Sequence, residues 1–74
     1  MRYVKIEFPM GVLSAVTAEY ALDRAGVKQC RRGTAVIALS DMHNTKVVAN
    51  VTAENKGYEV EPTQGDIDFL NSKG

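Results

Sequence analysis

Residues 34–40 read Thr-Ala-Val-Ile-Ala-Leu-Ser, a near-continuous apolar run that decides the fold we predict. A short apolar run that is followed by turn-forming residues is typical of a central strand buried on one or both faces. The residues that follow, Asp41-Met42-His43-Asn44, are predicted to form a turn. The rest of the fold is therefore built around a strand at 34–40.

Three further segments are predicted to be strands. Residues 2–8 alternate between an apolar face (Val4, Ile6, Phe8) and a second face (Tyr3, Lys5, Glu7). Residues 46–53 also alternate, with Val47, Ala49, Val51 and Ala53 on one face. A hairpin loop at 54–57, in which Gly57 is able to adopt a positive φ, leads to a short strand at 58–61 that Pro62 ends.

Two segments are predicted to be helices. In residues 13–25 an alanine-rich stripe recurs at helical spacing, Ser14 is a plausible N-cap and Gly26 a left-handed C-cap. Residues 27–33 are interpreted as an irregular connection or a short edge strand. Thr63 and Asp66 have the spacing of a capping box before a short final helix that carries Ile67, Phe69 and Leu70.

The predicted order is therefore β-α-β-β-β-α within a single small domain, residues 1–74. The class is α+β, and we predict a two-layer sandwich with the long helix packed on a mostly antiparallel four-stranded sheet. If the first two strands are parallel, the helical crossover between them should be right-handed.

The composition excludes several classes of protein. The chain has 74 residues, one cysteine and one histidine, so an internal disulfide framework is impossible and a structural zinc site is not expected. No apolar run approaches the length of a membrane span, and charges interrupt the N-terminal segment where a signal peptide would be apolar. We expect a cytoplasmic protein without cofactors.

The zero net charge conceals a polarity along the chain. Residues 1–40 carry six basic and three acidic side chains, and residues 41–74 carry three and six. The basic segment 24–32, with Arg24, Lys28, Arg31 and Arg32, indicates either contact with nucleic acid or a solvated loop. The acidic residues that include Glu59 and Glu61 fit either a basic partner or pairing with the chain's own basic segment.

The residues that could carry catalysis are few. Asp41 and His43 could share a metal or act as base and orienting group, and the arginines beside Cys30 would favour its thiolate. A solvent-exposed turn histidine and a structural thiol are the simpler interpretations. No nucleophile elbow, Walker or dinucleotide motif is present, so we predict that the protein is not an enzyme.

Apolar and aromatic side chains outside the predicted core favour a binding function. Tyr3, on the second face of the first strand, and Val16 with Tyr20, on the polar face of the helix, are candidate anchors for a partner. We predict a non-enzymatic protein-binding module, such as a small phage- or mobile-element-type inhibitor or adaptor that acts sterically on a host protein.

The alternatives are a nucleic-acid-binding protein that uses segment 24–32 and a metal or redox role for Cys30 and His43. The expected partner is another protein or a second copy of the chain, and no membrane is involved. The predicted partner-binding residues are Tyr3, Val16, Tyr20, Arg24, Lys28, Arg31, Arg32, Glu59 and Glu61.

Overall fold

The computed structural model describes residues 2–9, 15–31, 33–39 and 42–73, with side chains in 2–9, 17–31, 33–39 and 45–72. The elements within these ranges are β1 (Arg2–Glu7), α1 (Ala15–Arg24), β2 (Cys30–Arg31), β3 (Thr34–Leu39), α2 (Met42–Asn55), β4 (Tyr58–Val60) and α3 (Gln64–Lys73). The predicted α+β class is confirmed. The predicted N-cap, Ser14, lies outside the described residues.

The apolar segment 34–39 does form an inner strand, β3, which pairs with β1 along its whole length. The strand order is β2-β3-β1-β4, and every neighbouring pair is antiparallel. The predicted hairpin between strands at 46–53 and 58–61 is wrong, because 46–53 lies in helix α2 and β4 pairs with β1. Since β1 and β3 are antiparallel, the condition for a right-handed crossover between them is not met. The connectivity β-α-β-β-α-β is that called ferredoxin-like, or split β-α-β, and α3 is added at its end.

One face of the sheet carries the main hydrophobic core. Val4 and Ile6 of β1, with Phe8 directly after the strand, pack there with Ile37 and its same-face neighbours on β3. The helices α1 and α2 cover them with four buried apolar side chains, Ala18, Leu22, Val48 and Val51. Fully burying one aliphatic side chain of this kind stabilises the fold by roughly 2 kcal/mol, so this cluster is the main apolar contribution to stability.

The helix α3 lies on the other face of the sheet. Lys5 is directly opposite Val36 in the β1–β3 register and points away from the core. Its ammonium group meets Asp66 of α3, which places that helix over the second face. The predicted two-layer packing is therefore not confirmed, because helices lie on both faces. The first helix is also not the long one, since its described residues span ten positions against fourteen in α2.

Residues 46–53, predicted to be a strand, lie within helix α2. The valines of this segment fit two patterns. Val47 and Val51 alternate as in a strand, and Val47, Val48 and Val51 also have the spacing of one face of a helix. The structure uses the helical set: Val48 and Val51 are buried, whereas Ala49 and Ala53 are exposed. Burial of that stripe against the sheet outweighs the strand preference of β-branched residues, which depends strongly on context. The predicted turn at 41–44 is wrong for 42–44, which begin α2.

The end of α1 follows the sequence prediction. Gly26 has a φ of 84°, and its N–H donates to the carbonyl oxygen of Asp23 at 3.0 Å. The N–H of Val27 donates to the carbonyl oxygen of Leu22 at 2.7 Å. These two bonds form the Schellman motif that a left-handed glycine permits, so the predicted C-cap is confirmed.

The turn between α2 and β4 differs from its prediction. The residue with positive φ is Lys56, at 57°, and not Gly57. Gly57 is needed instead for close packing, because a Cβ atom there would lie 2.8 Å from Ile6 Cγ2 and 2.9 Å from two ring atoms of Phe8. The absence of a side chain at position 57 therefore lets the chain pass directly over the core.

Candidate functional site

The hydrogen-bonding direction of β1 determines which of its backbone groups are free. The Phe8 N–H donates to the Gly33 carbonyl oxygen at 3.0 Å, on the β3 side. Backbone groups of an antiparallel strand alternate in direction from one residue to the next. The N–H and carbonyl groups of Val4 and Ile6 therefore also point toward β3, whereas the N–H and carbonyl of Tyr3 point toward the opposite side of β1.

The strand β4 does not extend far enough to pair with Tyr3. It is opposite only the second half of β1, from Lys5↔Val60 to Glu7↔Tyr58. Continuing this register would place Pro62 opposite Tyr3, and proline has no N–H to donate. No backbone hydrogen bond joins Tyr3 to 61–63 in the part of the chain that the structure describes. The Tyr3 N–H and carbonyl therefore lack a strand partner on this side.

A groove of about 570 Å³ occupies the place that a longer β4 would fill. Residues 2–4 of β1 line one side, and residues 59–62 with Ile67 of α3 line the other. We call this feature the edge groove. It combines unpaired backbone groups with apolar contributions from Val60, Pro62 and Ile67, so it could accept an extended chain.

The edge groove brings together three of the predicted partner-binding residues, Tyr3, Glu59 and Glu61. Both glutamates are exposed, and neither has a basic group within 4.0 Å among the described residues. Arg2 lies at the other side of the groove, so the charged residues that line the groove have a net charge of −1. The groove thus offers uncompensated negative charge beside free backbone groups.

Tyr58 is the first residue of β4 and is 52% exposed. Its hydroxyl donates a 3.1 Å hydrogen bond to Glu7 Oε2. This bond, together with the negative charge of Glu7, raises the pKa of the Tyr58 hydroxyl above its ordinary value of 10.0. The contact joins the side chains of β1 and β4 where the two strands pair.

An ultraviolet titration tests this contact. Because the pKa of Tyr58 is higher in the folded state, the contact stabilises the fold at pH values below the ordinary tyrosine pKa. This stabilisation is lost as the pH rises through the higher folded-state pKa. We expect Tyr58 to ionise at higher pH than free tyrosine, and Glu7→Gln to move its pKa toward the ordinary value because both causes involve the Glu7 charge. Tyr58→Phe identifies the titrating group. An unchanged Tyr58 titration in Glu7→Gln would contradict the assignment.

Tyr20 belongs to a different surface. It is 65% exposed on α1 and lines a shallow depression with Glu19, Asp23 and Lys28. The helix α1 packs against β2, β3 and α2, whereas β4 lies at the opposite edge of the sheet. The structure therefore does not bring Tyr20 together with the edge groove, and the side chain of Val16 lies outside the described residues.

The described members of the basic segment are paired with acidic groups of the same chain. Arg24 lies 3.7 Å from Glu54 on α2, and Lys28 lies 3.1 Å from Asp23. All four of these side chains are more than half exposed, so each pair contributes little to stability. Arg31 pairs with Asp66 of α3, and Arg32 lies outside the described residues. Two of these contacts join the basic and the acidic part of the sequence within one molecule.

Asp66 is the centre of a charged cluster that was not predicted. It is 3% exposed, and its carboxylate meets Arg31 and, at 3.2 Å, the ammonium group of Lys5. It also accepts hydrogen bonds from the N–H and hydroxyl of Thr63, at 2.9 and 3.0 Å. The Asp66 N–H donates back to Thr63 Oγ1 at 3.2 Å, which confirms the predicted capping box. The sequence signal identified the cap and not its two basic partners.

The cluster connects two strands, β1 and β2, to α3. The Arg31 guanidinium lies 4.6 Å from the centre of the Phe69 ring, a cation–π contact. Its Nε atom is buried and has no hydrogen-bond acceptor among the described residues. Lys5 of β1 also lies 3.5 Å from Glu7. With these contacts to β1, β2 and its own helix, the cluster is best explained as the anchor of α3.

Cys30 and His43 are not shown to form a site. Cys30 is half-buried, and its thiol lies 3.1 and 3.0 Å from the carbonyl oxygens of Arg31 and Thr34. The side chain of His43 lies outside the described residues, as does Asp41. Among the described residues, no group of three histidine, cysteine or acidic side chains is placed to hold a metal ion.

Comparisons with known proteins identify no relative. No protein-family model matches the chain, and no curated protein or solved structure shows significant similarity to it. In the described part of the chain, no helix combines the length and apolar character that crossing a membrane requires. The candidate site therefore rests on the geometry of this molecule.

Proposed function

We propose that this chain is a non-enzymatic, cytoplasmic protein-binding module that binds its partner along the edge groove. The observation that carries the proposal is the half of β1 that has no β4 partner, where Tyr3 presents its N–H and carbonyl to a groove with no strand beside it. Exposed sheet edges with free backbone groups are templates for pairing with another chain.

The side chains around the groove support the same surface. Glu59 and Glu61 are exposed on the β4 side, and the facing side of the groove carries Tyr3, a residue type that is enriched at the energetic centres of protein interfaces. The charged residues of the basic segment, by contrast, are engaged within the molecule wherever they are described. A module of this size acts sterically, as an inhibitor that covers a surface of its partner or as an adaptor.

Affinity capture with matched surface variants tests the proposal. The wild-type chain should retain one protein in stoichiometric amount, and so should Tyr20→Ala, which alters the α1 surface. The double substitution Glu59→Lys with Glu61→Lys should lose that protein, because it reverses the charge of the edge groove without changing a buried residue. Failure to recover a stoichiometric partner, or loss of the partner with Tyr20→Ala alone, would contradict the proposal.

Nucleic-acid binding through segment 24–32 is less well supported, because Arg24, Lys28 and Arg31 each face a carboxylate. A clean test changes exposed residues only, since Arg31→Glu would place a carboxylate beside the buried Asp66. If nucleic acid binds there, Arg24→Glu with Lys28→Glu should weaken binding and reduce its salt dependence. We expect no binding of the wild-type chain to duplex or single strands at physiological salt.

A further inference from the structure

We infer that the edge groove binds an extended peptide segment with basic residues at alternating positions, added as a short strand beside Tyr3. This inference rests on the proposed protein-binding function and names the chemistry of the partner. The free N–H and carbonyl of Tyr3 provide one donor and one acceptor directed into the groove. A neighbouring strand that uses both would continue the sheet where β4 stops.

The length of the groove limits the segment that fits. The part of β1 that has no partner on the β4 side spans residues 2–4, and a strand rises about 3.3 Å per residue. The peptide therefore pairs over about three residues, with the departing chain at 61–62 beyond it. Apolar side chains of the peptide would contact Val60 and Ile67 at the wall of the groove.

The charges on the groove select a basic peptide. Glu59 and Glu61 are two residues apart in an extended segment, so their side chains project on the same side of the chain. Lysine or arginine residues at every second position of a strand match that spacing. Neither glutamate has a basic partner within 4.0 Å among the described residues, so neither must give up an existing pair to bind one.

The same charges disfavour a second copy of the chain as the occupant. Two edges that meet at this groove would bring Glu59 and Glu61 of one molecule toward the same glutamates of the other. Like charges placed opposite each other across strands are destabilising. A basic segment of a different protein is the occupant that the groove favours.

Nuclear magnetic resonance titration with designed peptides tests the inference. The probes are a blocked heptapeptide of alternating lysine and valine and its counterpart of alternating glutamate and valine. We expect the lysine peptide to shift amide signals of residues 2–4 and 59–61 and the glutamate peptide to leave them unchanged. Because the attraction is electrostatic and exposed, the affinity should fall as salt is added.

A matched pair of substitutions isolates the backbone contact. Tyr3→Pro and Tyr3→Val both remove the aromatic ring, but only proline removes the N–H that points into the groove. That N–H takes no part in the β1–β3 pairing, so proline is compatible with this edge position. Losing it leaves a peptide carbonyl unpaired, and we expect roughly tenfold weaker binding for Tyr3→Pro than for Tyr3→Val.

Each outcome decides the inference. Equal binding of the two peptides, equal affinity of the two Tyr3 variants, shifts confined to the Tyr20 surface, or no binding at millimolar peptide would overturn it. If Tyr3→Pro does not fold, Glu59→Gln with Glu61→Gln takes its place and should abolish the preference for the lysine peptide. A captured protein that is lost with Glu59→Lys and Glu61→Lys but retained by Tyr3→Pro would leave the proposed function standing and refute strand addition. Dimerisation through this groove would also refute it.

Discussion

Replacing Asp66 with alanine is expected to lower the free energy of unfolding by roughly 3 kcal/mol, a large share of the stability of a small domain. Removing the carboxylate leaves Lys5 and Arg31 beside a buried site without their shared partner. It also removes the acceptor for the N–H and hydroxyl of Thr63 at the start of α3. Urea denaturation followed by circular dichroism measures the loss.

The control is Asp68→Ala, an acidic residue two positions further along the same helix. Asp68 is exposed, and its contact is a hydrogen bond from Gln64 at 3.0 Å. Its loss should change the free energy of unfolding by no more than about 0.5 kcal/mol. Asp66→Asn should fall between the two, because the amide oxygen still accepts from Thr63 while the charge is absent. An Asp66→Ala variant as stable as Asp68→Ala would show that the cluster does not anchor α3.

The Gly57→Ala substitution is expected to destabilise the fold by about 1–3 kcal/mol through overpacking. Its Cβ would lie 2.8–2.9 Å from Ile6 and Phe8, which are both buried in the core, so these side chains would have to shift within a packed environment. Since the φ of Gly57 is not positive, the effect is steric rather than conformational. Thermal unfolding measures it directly.

Gly65→Ala is the matched control for this prediction. At that position a Cβ would make only an ordinary contact, 3.6 Å from Thr63 Oγ1, and the residue lies in helix α3. Alanine is favoured over glycine in helices by up to about 1 kcal/mol, so the variant should be neutral or more stable. Equal destabilisation by both substitutions would contradict the close packing at Gly57.

Local sequence signals correctly predicted those elements whose residue pattern is typical of only one kind of secondary structure. Segment 34–40 reads as an inner strand because both of its faces carry apolar residues, with Val36 and Ala38 between Ala35, Ile37 and Leu39. Gly26 and the pair Thr63–Asp66 mark helix ends through backbone chemistry. Segment 46–53 was ambiguous, because alanines at 49 and 53 satisfy a buried strand face as readily as an exposed helix face. Packing against the sheet decided in favour of the helix, which no local pattern reveals.

The site could be predicted only in part for a related reason. Tyr3, Glu59 and Glu61 were each identified as candidates, but their meeting at one groove depends on β4 pairing with β1, across more than fifty residues of sequence. The contacts of Asp66 with Lys5 and Arg31 have the same long-range origin. Those contacts also explain why the basic and the acidic part of the chain do not form two free poles.

Backbone amide hydrogen exchange at Tyr3 tests the central claim, that β1 keeps an unpaired edge where a partner binds. In the free protein the Tyr3 amide should exchange at least about tenfold faster than those of Val4 and Lys5, which are bonded to β3 and β4. Adding the captured partner should slow Tyr3 selectively and leave Tyr20 unchanged. A Tyr3 amide as protected as Val4 and Lys5 in the free protein would show that the edge is already occupied and would contradict the account.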